Sequence, residues 1–178
     1  MLPRLYAIVD AGVLTARDLS LKDYASGLRS AGVELVQYRD KTGSPQEVLR
    51  GSAVLRAAFA GSGAKLIMND RADLAVLAEF DGVHVGHLDL SPEDAKRVVG
   101  SGRIVGVSTH TEDQVRAAEL SCADYIAFGP VFSTGTKLDT EIIGVSADTL
   151  YEGPRQGVRR HLRTTTQRGE QGQRAAVR

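Results

Sequence analysis

Short apolar runs recur along the chain, and most of them end in polar residues. Between the runs, apolar residues recur at helical spacing, as they do from Val48 to Phe59. Apolar runs of this length between helices are typical of buried parallel strands. We therefore predict six β-α units up to residue 132. Their strand segments lie within residues 5–10, 35–41, 66–70, 83–89, 104–108 and 126–132.

Four helix starts are marked by a hydroxyl residue followed three positions later by an acid or an amide. Such a pair can satisfy the free N–H groups at the first turn of a helix, so each pattern predicts a helix start. The four pairs are Ser20 with Asp23, Ser44 with Glu47, Ser91 with Asp94, and Thr111 with Gln114.

Repeated β-α units with short connections predict a parallel sheet with right-handed crossovers. A doubly wound sheet gathers its site at one switch point, whereas a barrel uses many strand ends, so the polar residues favour a barrel. No Gly-x-Gly-x-x-Gly follows the first strand segment, which argues against dinucleotide binding. A full (β/α)8 barrel needs about 200 residues or more. We predict an α/β, TIM-type barrel that is incomplete, with about six strands and an irregular C-terminal tail.

Composition and charge divide the 178-residue chain into two parts. Residues 1–150 carry 15 basic and 20 acidic side chains, whereas residues 151–178 carry seven Arg and two Glu. We predict a partial barrel catalytic domain over 1–150 and an Arg-rich, disordered tail over 151–178. The chain shows no membrane-length apolar stretch and no signal peptide, and Cys122 is its only cysteine. These features predict a cytoplasmic protein that does not associate with a membrane.

Three polar residues alternate along the second strand and its exit, and they would face one side of the sheet. They are Gln37, Arg39 and Lys41. Two cations and an amide at a barrel mouth indicate an anionic ligand such as a diphosphate, since buried charges need partners. The alternative is an ion pair with Asp40 or another neighbouring acid.

Two acids follow adjacent strands and predict a magnesium site. Asp70 ends the third strand segment and Asp89 follows the fourth. Mg²⁺ is usually held by one or two carboxylates together with substrate phosphates and water. Asp70 could instead cap the next helix, whereas Ser91 already provides a cap beyond Asp89.

Two further groups of polar residues follow the fifth and sixth strands. Ser108 closes the fifth strand segment, where its hydroxyl could donate to a phosphate. Thr134, Thr136 and Lys137 surround a glycine after the sixth, a composition that suits a phosphate-binding loop. His84 alternates with apolar neighbours and is interpreted as a hydrogen-bonded core residue. No zinc-site spacing and no Gly-x-Ser-x-Gly elbow is present.

Together these segments resemble the thiamine-phosphate synthase family. The resemblance extends in unbroken order from about residue 4 to residue 145, and its matching segments are residues 37–41, 69–73, 82–90, 106–110 and 124–137. It implies a (β/α)8 barrel enzyme of thiamine biosynthesis. Such a transferase condenses 4-amino-2-methyl-5-hydroxymethylpyrimidine diphosphate with a methylthiazole-ethyl phosphate, giving thiamine phosphate and pyrophosphate.

The resemblance also implies roles for individual residues. Asp70 and Asp89 would bind Mg²⁺, and Ser108 would contact the pyrimidine substrate. Thr134 and Thr136 would reach the thiazole phosphate. The pyrimidine diphosphate would be held by Gln37, Arg39, Lys41, Asn69 and Lys137. No covalent nucleophile is implied.

Two departures from the family pattern leave alternatives open. His87 stands where the family usually has Gln, and no counterpart of the glycine-rich loop after the seventh strand is found. The Arg-rich tail therefore suggests a truncated or replaced C-terminus, as a frameshift would leave. The alternatives are a thiazole tautomerase-like barrel and a non-catalytic remnant of the synthase. Open sheet edges would favour association into a homo-oligomer. Nucleic acid is not expected as a partner, because stacking aromatics and a reading motif are lacking.

Overall fold

Six parallel strands lie side by side in the order in which they occur in the chain. The computed structural model describes residues 2–3 and 5–129, together with the backbone of 150–152. The strands are β1 (Ala7–Asp10), β2 (Leu35–Arg39), β3 (Lys65–Asn69), β4 (Gly82–Val85), β5 (Ile104–Thr109) and β6 (Tyr125–Phe128). The helices are α1 (Ala11–Ala16), α2 (Leu21–Ser30), α3 (Pro45–Phe59), α4 (Ala72–Leu77), α5 (Pro92–Val99) and α6 (Glu112–Glu119).

The sheet is curved, as a partial barrel requires. Strands in a flat sheet lie about 4.8 Å apart, which would separate β1 and β6 by about 24 Å. Nevertheless, the hydroxyl oxygens of Tyr6, just before β1, and Tyr125, in β6, lie 2.7 Å apart. The sheet must therefore bend to bring its first and sixth strands together. Sequential strand order and this curvature confirm the predicted barrel-type fold and exclude a doubly wound sheet.

The two faces of the sheet bury different side chains. On the outer face, alternate strand residues such as Val36, Met68 and Val83 pack against the helices in the main hydrophobic core. The inner face carries a smaller apolar cluster that includes Leu35 and Ile67. Because strand side chains alternate between faces, the residues two positions beyond Leu35 and Ile67 also face inward. This alternation presents polar groups at the carboxyl ends of the strands.

All four predicted helix starts are confirmed. Ser20, Ser44, Ser91 and Thr111 each accept a hydrogen bond from the backbone N–H three residues later. At α3 the arrangement is reciprocal, because the Glu47 side chain also accepts from the N–H of Ser44. Each such pair satisfies donors that the first helical turn would otherwise leave free.

Gly106 in β5 makes room for the aromatic ring that fills the barrel interior. A Cβ atom at this position would lie 2.0 Å from Cζ of Tyr125. Tyr125 is fully buried, and its ring packs edge-on against that of Tyr6 with 5.9 Å between ring centres. The contact between the first and sixth strands therefore depends on the absence of a side chain at residue 106.

A short seventh strand adds to the edge of β6. β7 (Leu150–Glu152) pairs antiparallel with β6, with Tyr151 opposite Ile126. The predicted tail began at residue 151, so its first two residues are part of this strand. Residues 153–178 lie outside the described residues, and the predicted tail and domain boundary stay predictions. Within the part of the chain that the structure describes, no helix has the length and apolarity needed to cross a membrane.

Candidate functional site

An ion pair joins the ends of β1 and β2 on the inner face. Asp10 and Arg39 are register partners in the two strands, and Nη1 of Arg39 donates to Oδ2 of Asp10. The other Asp10 oxygen, Oδ1, accepts from the N–H of Val13 at 2.8 Å and caps α1. Asp10 is thereby fixed by the helix it caps, and it orients the Arg39 guanidinium. Both side chains are largely buried, with exposures of 12% for Arg39 and 17% for Asp10.

A second cation meets two acids at the same end of the sheet. Nζ of Lys41 lies 2.6 Å from Oδ2 of Asp70. Asp70 in turn interacts with the carboxyl of Asp89, which follows β4. Asp70 follows β3 with a φ of 60°, in the left-handed region that few non-glycine residues adopt. Asp70 does not cap α4, because Arg71 is the N-cap residue and no side-chain cap bond is present there.

The surroundings of Asp89 favour a cation beside it. Burial of the carboxyl raises the pKa of Asp89, and repulsion from Asp70 raises it further. The N–H of Gly86, 2.7 Å from Oδ2, and the charge of Lys41 act in the opposite direction. Two carboxylates held this closely repel each other, and a bound cation would relieve that repulsion. An open groove of about 470 Å³ lies beside the pair and is lined also by Arg71, Leu88 and Leu90.

The carboxylate oxygens of Asp70 and Asp89 are a donor set that fits Mg²⁺, which prefers oxygen ligands. Among the described residues no group of three or more His, Cys, Asp or Glu side chains could hold a metal. Mg²⁺ needs only one or two carboxylates when substrate phosphates and water complete its octahedron. Asp70 and Asp89 would provide those two. Together with Arg39 and Lys41 they form a charged rim at the carboxyl ends of β2, β3 and β4.

Behind the rim, a chain of hydrogen bonds crosses the barrel interior. Nε2 of Gln37 donates to the hydroxyl of Tyr6 at 2.7 Å, and that hydroxyl contacts the Tyr125 hydroxyl. Tyr125 contacts Nδ1 of His84 at 2.9 Å, and Nε2 of His84 lies 2.8 Å from Oγ of Ser108. His84 is thus the hydrogen-bonded interior histidine that the sequence predicts. Burial lowers the pKa of His84 to about 4, so its ring is neutral at pH 7.

The structure brings most of the predicted site residues together. Gln37 and Arg39 share the inner face of β2, and Asn69 lies on the inner face at the end of β3. Lys41, Asp70 and Asp89 form one interacting group, and Ser108 ends the interior chain at β5. Three predicted residues lie outside the described residues, and their placement stays a prediction. These are Thr134, Thr136 and Lys137.

Three residues of this region were missed by sequence reasoning. Asp10 ends the first strand segment as other polar residues end theirs, so the same pattern pointed to it. Tyr6 and Tyr125 carry no comparable signal, because an aromatic residue at a strand start is ordinarily core. Their role emerges only when curvature of the sheet places them in contact.

Comparison with protein families gives one match that covers most of the chain. The family described as Thiamine monophosphate synthase matches residues 5–151. A thiamine-phosphate synthase from Koribacter versatilis is 45% identical over 147 residues, which make up 81% of this chain and 69% of that protein. One from Solidesulfovibrio magneticus is 39% identical, over 77% of this chain and 64% of that protein. The chain therefore spans about two thirds of the length of these relatives.

A solved structure shows the same fold. The chain is similar to the thiamine phosphate pyrophosphorylase from Pyrococcus furiosus, with a TM-score of 0.62 and 27% sequence identity. The similarity covers 74% of this chain and 62% of that protein.

Proposed function

Since this chain belongs to the thiamine monophosphate synthase family, we propose that its rim binds the pyrimidine diphosphate substrate of thiamine-phosphate synthesis together with Mg²⁺. The family's enzymes are transferases of thiamine biosynthesis. The observation that carries the proposal is the convergence of Arg39, Lys41, Asp70 and Asp89 at one end of the sheet.

The proposed reaction joins two substrates by replacing a diphosphate. The C–O bond between the pyrimidine CH₂ carbon and the diphosphate breaks, and its electron pair leaves with the diphosphate. The electron-rich aminopyrimidine stabilises the resulting cation, and the thiazole nitrogen donates its lone pair to form the new C–N bond. The products are thiamine phosphate and pyrophosphate. This chemistry needs charge stabilisation and alignment rather than a covalent nucleophile.

The cations of the rim have complementary tasks in this scheme. Arg39 offers a planar fork whose orientation is fixed by Asp10, and it would hold one face of the diphosphate. Lys41, with a side chain 50% exposed, is free to turn from Asp70 toward a phosphate oxygen. Gln37, Asn69 and Lys137 would complete the contacts to the pyrimidine diphosphate. Thr134 and Thr136 would bind the thiazole phosphate, and Ser108 the pyrimidine.

Asp70 and Asp89 would hold the Mg²⁺ ion. When bound, Mg²⁺ supplies positive charge that stabilises the departing pyrophosphate. Lys41, which pairs with Asp70 and also acts on Asp89, would neutralise part of the negative charge of the two acids and of the diphosphate.

Neither alternative from the sequence is favoured. A thiazole tautomerase needs neither a diphosphate nor a metal, so it would not explain the rim of Arg39, Lys41, Asp70 and Asp89. A remnant with an open edge at the sixth strand is less consistent with β7, which pairs with β6. A homo-oligomeric assembly and a cytoplasmic location stay predictions from the sequence.

An assay with both substrates tests the proposed reaction. Purified chain, pyrimidine diphosphate, thiazole phosphate and Mg²⁺ are incubated, and thiamine phosphate and pyrophosphate are quantified together. We expect equal amounts of the two products and none when the metal is chelated. Isomerisation of the thiazole without pyrophosphate release would favour the tautomerase, and absence of both reactions would favour the remnant.

A further inference from the structure

Five side chains from five parts of the fold form one continuous hydrogen-bond chain inside the barrel. It runs from Gln37 through Tyr6, Tyr125 and His84 to Ser108. Its first four members are at most 7% exposed, whereas Ser108 is only partly buried. This hydrogen-bond chain therefore runs through the interior and ends at a partly exposed hydroxyl.

The number of protons in the chain is fixed at neutral pH. Burial raises the pKa of Tyr6, and it also raises that of Tyr125 well above its usual value, so each phenol keeps its one proton. Nδ1 of His84 lies within hydrogen-bond distance of the Tyr125 hydroxyl, and an imidazole that accepts at Nδ1 carries its one proton on Nε2. Each of these three groups can therefore donate one hydrogen bond within the chain.

The amide of Gln37, the donor at one end, then determines the direction of every hydrogen bond in the series. Gln37 donates to Tyr6, and among the described residues the proton of Tyr6 has only Tyr125 as an acceptor. The Tyr125 hydroxyl must therefore donate its hydrogen bond to Nδ1 of His84. The imidazole proton then lies on Nε2 and is donated to Oγ of Ser108. The reverse direction would leave the Tyr6 proton buried without an acceptor in this part of the structure, which costs free energy.

We infer that Tyr6, Tyr125 and His84 are positioning residues that fix the Ser108 hydroxyl as a hydrogen-bond donor toward the substrate. Since Ser108 already accepts from His84, its own proton is available to an acceptor such as a pyrimidine ring nitrogen. The identity of that acceptor rests on the proposed function. The direction in which the hydrogen bonds are donated, from Gln37 to Ser108, does not. Hydrogen bonds aligned head to tail also polarise one another, which strengthens the terminal donor.

The position of the proton on His84 tests the direction without any substrate. Long-range ¹H–¹⁵N spectra of the ¹⁵N-histidine-labelled chain at pH 7.5 distinguish Nδ1–H from Nε2–H, and His84→Gln identifies the signals of this ring. We expect a single neutral form protonated on Nε2. Protonation on Nδ1, or a mixture of the two forms, would overturn the inference.

Reversing the donor at residue 37 provides a second test. An ionised carboxylate can only accept, so Gln37→Glu, measured above the pH at which its carboxyl ionises, should reverse every link. The proton of His84 should then move to Nδ1. A folded Gln37→Glu protein that keeps Nε2–H would contradict a direction set at residue 37. If this variant does not fold, the spectrum of the unaltered chain still decides.

The consequence for the substrate is measured by calorimetry with Mg²⁺ and two probes. For Tyr125→Phe we expect affinity for the pyrimidine diphosphate to fall about fivefold, the usual effect of one hydrogen bond. Affinity for inorganic pyrophosphate, which lacks the ring, should not change. Tyr38→Phe, a buried tyrosine on the outer face of β2, is the matched control and should change neither.

The outcomes separate this inference from the proposed function. Equal losses for both probes in Tyr125→Phe would show a merely structural role and overturn the inference. If the unaltered protein bound neither probe, the proposed function would fail. The spectrum of His84 would still decide the direction of the hydrogen bonds.

Discussion

Asp10 links the rim to the fold through its two carboxylate oxygens. One oxygen caps α1 and the other receives Arg39. Asp89 is similarly fixed by the N–H of Gly86. Two acids of this region are therefore held by backbone N–H groups close to them in the sequence, and Arg39 is held in turn by one of these acids, Asp10. This is how short local motifs can place a set of charges from several strands.

Removal of one carboxylate from the pair Asp70 and Asp89 should weaken the Mg²⁺-dependent binding of the pyrimidine diphosphate. For Asp89→Asn we expect the Mg²⁺-dependent affinity for the pyrimidine diphosphate to fall by about ten- to a hundredfold, the range seen even for outer partners of metal sites. Calorimetry with and without Mg²⁺ measures this change. Asp113→Asn, on the exposed start of α6, is the control and should behave as the unaltered chain does. Equal affinities in all three proteins would exclude Asp89 as a metal ligand.

Burial of His84 predicts a loss of stability in acid. The pKa of His84 is about 4 in the folded chain and about 6.5 when unfolded, so the unfolded chain binds more protons between these values. The free energy of unfolding should therefore fall as pH drops from about 6.5 to 4, by at most about 3 kcal/mol from this residue. Urea unfolding at pH 7.5 and 4.5 measures the loss.

His84→Gln lacks this titration but keeps the other acid-sensitive groups, so it serves as the reference. We expect it to lose less stability than the unaltered chain over the same pH interval. Identical losses in the two proteins would show that His84 titrates normally in the folded chain.

At the scale of strands and helices, local signals in the sequence are strong. The six parallel strands and four helix caps were predictable because apolar runs and capping residues act over a few positions. Helix α1 was not predicted, since its six residues are too few to show a period. The pairing of Asp10 with Arg39 and the contact of Tyr6 with Tyr125 depend on strand register and sheet curvature, which no local pattern encodes.

The glycine in β5 provides a test of how the sheet curves. Gly106→Ala would place a methyl group against the buried Tyr125 ring, and overpacking of this kind costs about 1–3 kcal/mol. We expect a lower unfolding midpoint in urea and a changed near-ultraviolet tyrosine signal. Gly102→Ala adds a methyl group where no atom lies within 4 Å and should leave both unchanged. An equally small effect of the two substitutions would argue against close packing at residue 106.

The cap of α3 carries an independent prediction. Ser44→Ala removes the acceptor for the N–H of Glu47 and should lower the free energy of unfolding by about 1 kcal/mol. Because the hydrogen bonds of Ser44 join it to Glu47 and Val48 of its own helix, the histidine spectrum should not change. Ser44→Asp restores a capping oxygen and should recover the stability. No loss in Ser44→Ala would indicate that the cap contributes little to this helix.

At the scale of the whole molecule, the described residues form a charged rim on a curved sheet, which we propose is one face of a binding site. Cations and acids from β1 to β4 gather at one rim, and the interior chain links β2, β4, β5 and β6 behind it. The sequence predicted this convergence because parallel strands present their carboxyl ends together. Thr134 and Thr136, the predicted contacts to the thiazole phosphate, lie outside the described residues, and their role stays a prediction.

Calorimetric titration of the chain with pyrimidine diphosphate, with and without Mg²⁺, tests the central claim most directly. If Arg39, Lys41, Asp70 and Asp89 form one site, the ligand and the metal should each increase affinity for the other by the same factor. Tight binding of the diphosphate that does not respond to Mg²⁺, or no binding under either condition, would contradict a shared site at this rim.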